Sequence, residues 1–153
     1  MARKKLPTIL EPEEAQNLLK QPNKRYPTGL RNKAMLSLML HCGLRVSEVV
    51  NLRPGNINLT KGKLRVENGK GNKDRDLAIP EYLTDLFDSW RKKRPESNYF
   101  FSTLKGKKLS IRYLQQMVKR YADKAGINKS ISPHTLRHYV ERYIMVSEAV
   151  IVR

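Results

Sequence analysis

The segment SPHTLRH places an arginine and two histidines on one predicted helix, and only fifteen residues follow it. His134, Arg137 and His138 occupy positions i, i+3 and i+4, a spacing that brings side chains to one face of an α-helix. A guanidinium group binds phosphate oxygens through paired, charge-assisted hydrogen bonds, and an imidazole adds a donor or transfers a proton. This helix face is therefore a candidate site for phosphate chemistry.

Two other segments carry residues that local structure does not require. Arg45 follows Gly43 in GLRVSEVV, and the turn-like segment GKGNKDR contains Lys70, Lys73 and Arg75. Considered alone, each has a simpler explanation, because an arginine can complement a helix C-terminus and lysines on a turn are commonly solvated. Only the combination of all three segments on one basic chain indicates a shared function.

Together these residue types match what phosphodiester cleavage by an oxygen nucleophile requires. Negative charge accumulates on the non-bridging oxygens during the reaction, and Arg45 and Arg137 could bind those oxygens. His134 could donate a hydrogen bond or carry a proton, and Lys70 could protonate the departing sugar oxygen. Such catalysis depends on positioning and electrostatic stabilisation and does not require a metal ion.

The two histidines also permit a zinc site, since imidazoles at positions i and i+4 can bind one Zn²⁺. The remaining candidate ligands are His41 and Cys42, and no glutamate lies between His134 and His138. These ligands are too few for a typical zinc site, so we expect neither a metal ion nor a cofactor.

The charge of the chain predicts a polyanionic partner. Thirty-one Lys and Arg residues against fourteen Asp and Glu residues give a net charge of +17. A pI of about 10.2 is typical of a nucleic-acid-binding protein, and RNA-binding proteins share this property, so charge indicates the partner class but no activity. The apolar runs are too short to cross a bilayer, the N-terminus lacks a secretory h-region, and Cys42 is the single cysteine. We expect a cytoplasmic, nucleoid-associated protein that makes no membrane contact.

The hydrophobic pattern predicts a mainly α fold with a small antiparallel β-sheet, in a single domain. The expected helices are EPEEAQNLLK with Pro12 at its first position, residues 30–42 closed by Gly43, VSEVVNL, EYLTDLFDSWRKKR, a helix from Ser110 to Gly126, and HTLRH entered through Ser132 and Pro133. Alternating apolar residues on both sides of the Gly- and Asn-rich tip at 68–73 predict an antiparallel hairpin. A loop is expected at 23–29, and a short strand at 99–102 is a further prediction. Ile111 is expected on the apolar stripe of its helix.

The order GLRVSE, GKGNKDR followed by LAIP, and SPHTLRH resembles the catalytic domain of tyrosine site-specific recombinases, the phage integrase and Xer family. The resemblance extends from about residue 6 to residue 138, and three motifs in order are far more specific than one. It implies the catalytic-domain fold of that family and an enzyme that cleaves double-stranded DNA and exchanges strands through a 3′-phosphotyrosine. It also implies a prokaryotic or viral origin and assembly with other recombinase protomers on DNA.

The resemblance assigns roles to individual residues. Arg45 and Arg137 correspond to the two catalytic arginines, Lys70 to the hairpin lysine and His134 to the histidine of H-x-x-R. Lys73, Arg75 and His138 are expected to contact DNA, with His138 serving orientation or packing rather than chemistry. The sequence does not distinguish Lys70 from Lys73 as the lysine that reaches the DNA.

The chain also departs from the family pattern. It begins at the catalytic domain without a preceding core-binding domain, residues 139–153 diverge from the family, and neither the later G-H-type motif nor the nucleophilic tyrosine is found. Tyr139 points about 160° away from Arg137 around the predicted helix, and Tyr143 is expected to pack in the core. We therefore expect a truncated or frame-disrupted domain that is catalytically incomplete. The alternatives are a non-catalytic DNA-binding protein that modulates a full-length recombinase and, less in keeping with the motifs, an RNA-binding module.

Overall fold

The computed structural model describes residues 8–67 and 74–144. Within these ranges the α-helices are α1 (Pro12–Leu19), α2 (Pro27–Ser37), α3 (Val46–Asn51), α4 (Glu81–Lys93), α5 (Ile111–Lys124) and α6 (Pro133–Tyr139), which a π-helical turn, Val140–Ile144, continues. The strands are β1 (Ile57–Asn58), β2 (Lys63–Val66) and β3 (Arg75–Ala78). The predicted mainly α fold with a small antiparallel sheet is confirmed. The hairpin tip with Lys70 and Lys73, and the tail from residue 145, lie outside the described residues.

The helices enclose a core that is rich in leucine, methionine and aromatic side chains. α2 packs against α4, α3 packs against α5, and a five-residue π-helical turn, Leu38–Cys42, continues α2 and contacts α6. Ala34, Met35 and Leu36 of α2 are fully buried, which confirms the prediction that this helix is central. Gly43 ends the turn with φ 71°, the left-handed conformation that glycine adopts without steric cost.

The three strands form one antiparallel sheet in the order β1-β2-β3. The register pairs Leu64 with Leu77 and Val66 with Arg75, so the alternating side chains of β2 place Leu64 and Val66 in the core. Arg75 is the first residue of β3 and therefore lies at the end of the sheet nearest the tip segment in sequence. The hairpin prediction is confirmed for the residues that flank the tip.

Three details of the sequence-based prediction are wrong. α2 begins at Pro27 inside the predicted loop, because the fixed φ of proline suits a first helical residue and Gly29 allows the helix to pass directly over the Asn23 backbone, where a Cβ would clash. Residues 99–102 form no strand beyond a single antiparallel bridge between Ser102 and Lys108, since the side chains of Trp90 and Arg94 occupy the carbonyls of Phe100 and Tyr99. Ile111 is 41% exposed, because it stands in the first turn of α5 beyond the edge of the core.

A buried polar cluster joins α2 to α5. Arg31 and Asn32 are almost fully buried, and Asn32 donates to the hydroxyls of Tyr113 and Tyr121 at 3.2 and 3.0 Å. Arg31 also donates to the carbonyl of Ser102 at 3.0 Å. Because each polar side chain in the cluster has a hydrogen-bond partner, the cluster fixes the relative position of the two helices without leaving a buried polar atom unpaired. The hydrophobic pattern of α2 gave no sign of this cluster. None of the helices within the described ranges is long and apolar enough to cross a membrane.

Candidate active site

A cavity of about 630 Å³ opens between the start of α3, the outer face of α5 and the start of α6. Arg45, His134 and Arg137 all line it, although Arg45 precedes the other two by about ninety residues in the sequence. The chain thus brings together three of the four residues predicted to act on a phosphodiester. Lys70, the fourth, and its alternative Lys73 lie outside the described residues.

The local sequence explains how Arg45 reaches the cavity. The left-handed turn at Gly43 reverses the chain after α2, and Arg45 then caps the N-terminus of α3 in an extended conformation. Its backbone N–H donates to Oε1 of Glu48 at 2.8 Å, three residues further along the helix. The side chain of Arg45 remains exposed, so its guanidinium is available to an anion in the cavity.

Glu48 is a buried carboxylate that sequence reasoning did not single out. It is only 8% exposed and accepts two hydrogen bonds from Arg75, at 2.6 Å from Nη1 and 3.0 Å from Nη2. Burial acts to raise the pKa of Glu48, but the bonds from Arg75 and from the Arg45 N–H outweigh burial and lower that pKa below its ordinary value. The position of Glu48, three residues after Arg45, could have indicated a capping contact at the start of α3. Nothing in the sequence indicates that Arg75 is the long-range partner of Glu48.

Arg75 was predicted to contact DNA, and the structure places its guanidinium on Glu48. The hydrogen bond to Glu48, opposed by partial burial, raises the pKa of Arg75, so this residue stays cationic. Its side chain is still 37% exposed. Direct contact with DNA stays a prediction for this residue.

Arg137 is held on the α6 side of the cavity by weaker contacts. Its Nη1 donates to the carbonyl of Gly43 at 3.1 Å, which connects α6 to the turn that delivers Arg45. Its Nε lies 3.7 Å from Oε1 of Glu141, a half-exposed side chain one turn later in the chain. Arg137 is half-buried, and it retains donors that a phosphate in the cavity could accept.

The two histidines of SPHTLRH contact each other. Nε2 of His134 lies 3.0 Å from Nε2 of His138, and Nδ1 of His138 lies 3.5 Å from Oε2 of Glu141. His134 lines the cavity, whereas His138 lines a second, smaller cavity with Tyr139 and Glu141. The arrangement agrees with the predicted role of His138 in orienting its neighbour, and that role stays a prediction.

The cavity is also lined by polar side chains that the motifs did not indicate. They are contributed by α5 and by the loop before α6, and they comprise Gln115, Lys119, Asp123, Lys129, Ser130 and Ser132. Lys129 is already paired with Glu14 at 2.7 Å. The exposed stripe of α5 could have suggested Gln115 and Lys119, but only the tertiary packing shows that this stripe borders Arg45 and Arg137.

No tyrosine lines this cavity, and all seven tyrosines of the chain fall within the described residues. Tyr139 packs partly against the core beside the second cavity, and burial, together with Tyr143, raises the pKa of its hydroxyl. The hydroxyl of Tyr143 donates to Oε2 of Glu11 at 3.1 Å. Tyr143 is partly exposed and not packed in the core as predicted, because its hydroxyl binds the N-cap residue of α1. Neither tyrosine lines the cavity that contains Arg45, His134 and Arg137.

Across residues 8–67 and 74–144, no group of three or more His, Cys, Asp or Glu side chains is arranged to hold a metal ion. His41, considered above as a further ligand, instead contacts the hydroxyl of Tyr82 through Nδ1 at 2.7 Å, and burial lowers its pKa. His41 is thus engaged with Tyr82, whereas His134 and His138 contact each other.

Comparison with known proteins gives a consistent set of relatives. The tyrosine recombinase XerD of Staphylococcus epidermidis is 37% identical over 153 aligned positions, which cover 95% of this chain and 52% of that protein. XerD of Staphylococcus aureus has the same identity and coverage. The chain thus spans about half the length of these relatives.

Solved structures show the same relationship in three dimensions. The crystal structure of XerA recombinase matches with a TM-score of 0.78 and 26% identity, covering 90% of this chain and 49% of that chain. XerH recombinase, in a post-cleavage complex with its difH substrate, matches with a TM-score of 0.72 and 28% identity over 88% of this chain and 41% of that chain. The sequence model of the phage integrase family matches residues 8–149, nearly the whole chain. The chain belongs to the phage integrase family, as its motifs predicted.

Proposed function

We propose that this domain binds the backbone of double-stranded DNA in the cavity lined by Arg45, His134 and Arg137. The observation that carries the proposal is the convergence of these residues from two distant segments onto one concave surface of a chain with a net charge of +17. A phosphate between two guanidiniums receives paired, charge-assisted hydrogen bonds, and the excess of positive charge attracts the polyanion.

The same geometry supports a role in site-specific DNA cleavage and strand exchange. Arg45 and Arg137 bind the two non-bridging oxygens and stabilise the charge that develops on them. His134 donates a further hydrogen bond or carries a proton, and Lys70 protonates the departing 5′ oxygen while a tyrosine becomes linked to the 3′ phosphate. XerH, a site-specific recombinase of 28% identity that was captured in a post-cleavage complex with its DNA substrate, supports DNA cleavage as the activity.

The attacking tyrosine in this proposal is not one of the seven in residues 1–153. None of them lines the cavity, and the hydroxyls of Tyr113, Tyr121 and Tyr143 are engaged with other side chains. We therefore expect residues 1–153 alone to bind DNA without cleaving it. In the reaction, a tyrosine from outside residues 1–153 completes the site, and other recombinase protomers assemble on the same DNA. We place this reaction in the cytoplasm of a prokaryote or a virus-infected cell.

The position of the tyrosines also favours a second candidate function, a non-catalytic DNA-binding modulator of a full-length recombinase. One experiment tests both functions. If residues 1–153 are mixed with a nicked DNA substrate that traps covalent intermediates, we expect no protein–DNA adduct on a denaturing gel. An adduct would show that a tyrosine of this chain attacks DNA, and it would refute both the modulator function and the expected incompleteness.

The DNA-binding proposal is tested by removing the two arginines of the cavity. Because each phosphate contact releases counterions, the double variant Arg45→Ala/Arg137→Ala should lower affinity for a duplex probe roughly tenfold or more and reduce the salt-dependence slope by about two. Arg25→Ala/Arg91→Ala is the matched control, since it removes the same charge at exposed positions that do not line the cavity. Equal effects of the two double variants would refute the cavity as the binding site.

A further inference from the structure

The carboxylate of Glu48 connects two segments that each carry a predicted site residue. Its Oε1 accepts the backbone N–H of Arg45 at 2.8 Å and Nη2 of Arg75 at 3.0 Å, while its Oε2 accepts Nη1 of Arg75 at 2.6 Å. Glu48 lies on α3, whose N-cap is Arg45, and Arg75 is the first residue of β3, which begins two positions after the tip residues 68–73. One buried group thus links the start of α3 to the base of the hairpin.

These contacts restrict where the side chain of Arg45 can point. The bond from its N–H to Glu48 fixes the extended backbone conformation, φ −73° and ψ 154°, in which Arg45 enters α3. The direction of the Cα–Cβ bond follows from that conformation. The carboxylate that accepts this bond is itself held by Arg75, through two hydrogen bonds of a planar guanidinium to a planar carboxylate.

We propose that Arg75 is a positioning residue that acts on the phosphate site through Glu48 and not by binding DNA directly. By holding Glu48, it fixes the backbone conformation of Arg45 and ties the start of β3, at the base of the hairpin, to α3. The inference rests on the proposed function, because it concerns how the DNA-binding cavity is held in shape. It replaces the simpler expectation, drawn from the sequence, that the positive charge of Arg75 serves as one more phosphate contact.

The geometry of the pair distinguishes positioning from charge. A lysine at position 75 would retain the charge but would present a single ammonium instead of a two-point fork, so it could not hold both oxygens of Glu48. A glutamine at position 48 would retain the size of the side chain and raise the net charge of the chain by one. If charge alone mattered, the first change would be neutral and the second would strengthen DNA binding.

The test is DNA affinity, measured on the 1–153 chain with a fluorescent duplex at several salt concentrations. We expect Arg75→Lys and Glu48→Gln each to weaken binding about five- to tenfold, within the range of coupling between contacting residues. Glu13→Gln is the control for the charge change at position 48, because Glu13 is exposed on α1 and does not line the cavity. Circular dichroism at the assay temperature verifies that each variant is folded.

A double-mutant cycle with Arg45→Ala shows whether Arg75 acts through the cavity. If it does, Arg75→Lys has little further effect once the side chain of Arg45 is removed. Additive losses in the double variant, or full affinity of Arg75→Lys and Glu48→Gln, would overturn the inference. Failure of the proposed function is recognised separately, because Arg45→Ala/Arg137→Ala would then leave the affinity and the salt slope unchanged.

Discussion

The two sides of the cavity hold their arginines by different means. On the α3 side, the backbone of Arg45 is anchored to the buried Glu48, which Arg75 holds from a different part of the fold. On the α6 side, Arg137 donates to the carbonyl of Gly43 and lies 3.7 Å from Glu141, a half-exposed residue four positions later in the chain. Both sides therefore include a tertiary contact, but the ion pair on the first side is long-range and partly buried, whereas the ion pair on the second is local and exposed.

This difference has energetic consequences. A carboxylate that is removed from water must be compensated by its partners, so loss of Arg75 would leave the buried charge of Glu48 poorly solvated, and loss of Glu48 would remove the partner of Arg75 and of the Arg45 N–H. Glu141 and Arg137 remain in partial contact with water, and an exposed ion pair of this kind contributes little to stability. The free energy of unfolding should therefore be sensitive to loss of the Glu48–Arg75 pair and should tolerate loss of the Arg137–Glu141 pair.

The largest expected effect is that of Glu48→Ala on the free energy of unfolding. We expect a loss of about 2 kcal/mol, below the range for a fully buried pair because the side chain of Arg75 is 37% exposed and can be rehydrated. Urea titration followed by circular dichroism measures the loss. A loss below about 0.5 kcal/mol would mean that the two sides of the cavity do not differ.

The pH dependence of the free energy of unfolding tests whether the ionised carboxylate of Glu48 stabilises the α3 side. Because the folded-state pKa of Glu48 is lowered, its contribution is present above the unfolded-state pKa and is lost as the pH falls through the folded-state value. We expect the unfolding free energies of the wild type and Glu48→Gln to differ most near neutral pH and to converge in acid below the ordinary pKa of a glutamate. A difference that does not depend on pH would exclude an ionised Glu48 as the cause.

A smaller effect is expected for the contact between the two histidines on the α6 side. His138→Ala removes the hydrogen-bonding partner of His134, and an exposed hydrogen bond contributes at the low end of the usual range. We expect a loss of DNA affinity of about twofold to threefold with an unchanged salt slope. A decrease of the slope by about one would instead identify His138 as a direct phosphate contact.

The smallest effect is expected for Glu141→Gln, which separates the local ion pair from the buried one. The change in unfolding free energy should stay within about 0.5 kcal/mol and should become smaller still at high salt, because surface pairs are screened. The same urea titration, repeated at low and high salt, provides the measurement. A loss equal to that of Glu48→Ala would contradict the proposed division of the cavity.

The sequence predicted the helices well where the end signals were local. Pro12 and Pro133 stand at first helical positions as expected, Ser110 accepts the N–H of Tyr113 as an N-cap, and Gly43 closes its helix in the left-handed conformation. Residues 99–102 were misassigned because the side chains of Trp90 and Arg94 occupy carbonyls of that segment, and no sequence pattern of the segment itself shows this. Local capping is encoded nearby, whereas such long-range hydrogen bonds are not.

For the site, the motifs alone selected Arg45, His134 and Arg137 and predicted the family, because residue type and spacing directly limit the possible chemistry. Only the tertiary structure decided that these residues share one cavity, that no tyrosine of the chain lines it, and that Glu48 holds Arg75. The physical reason is that an ion pair across 27 positions depends on how α3 and β3 pack, which is a property of the whole core.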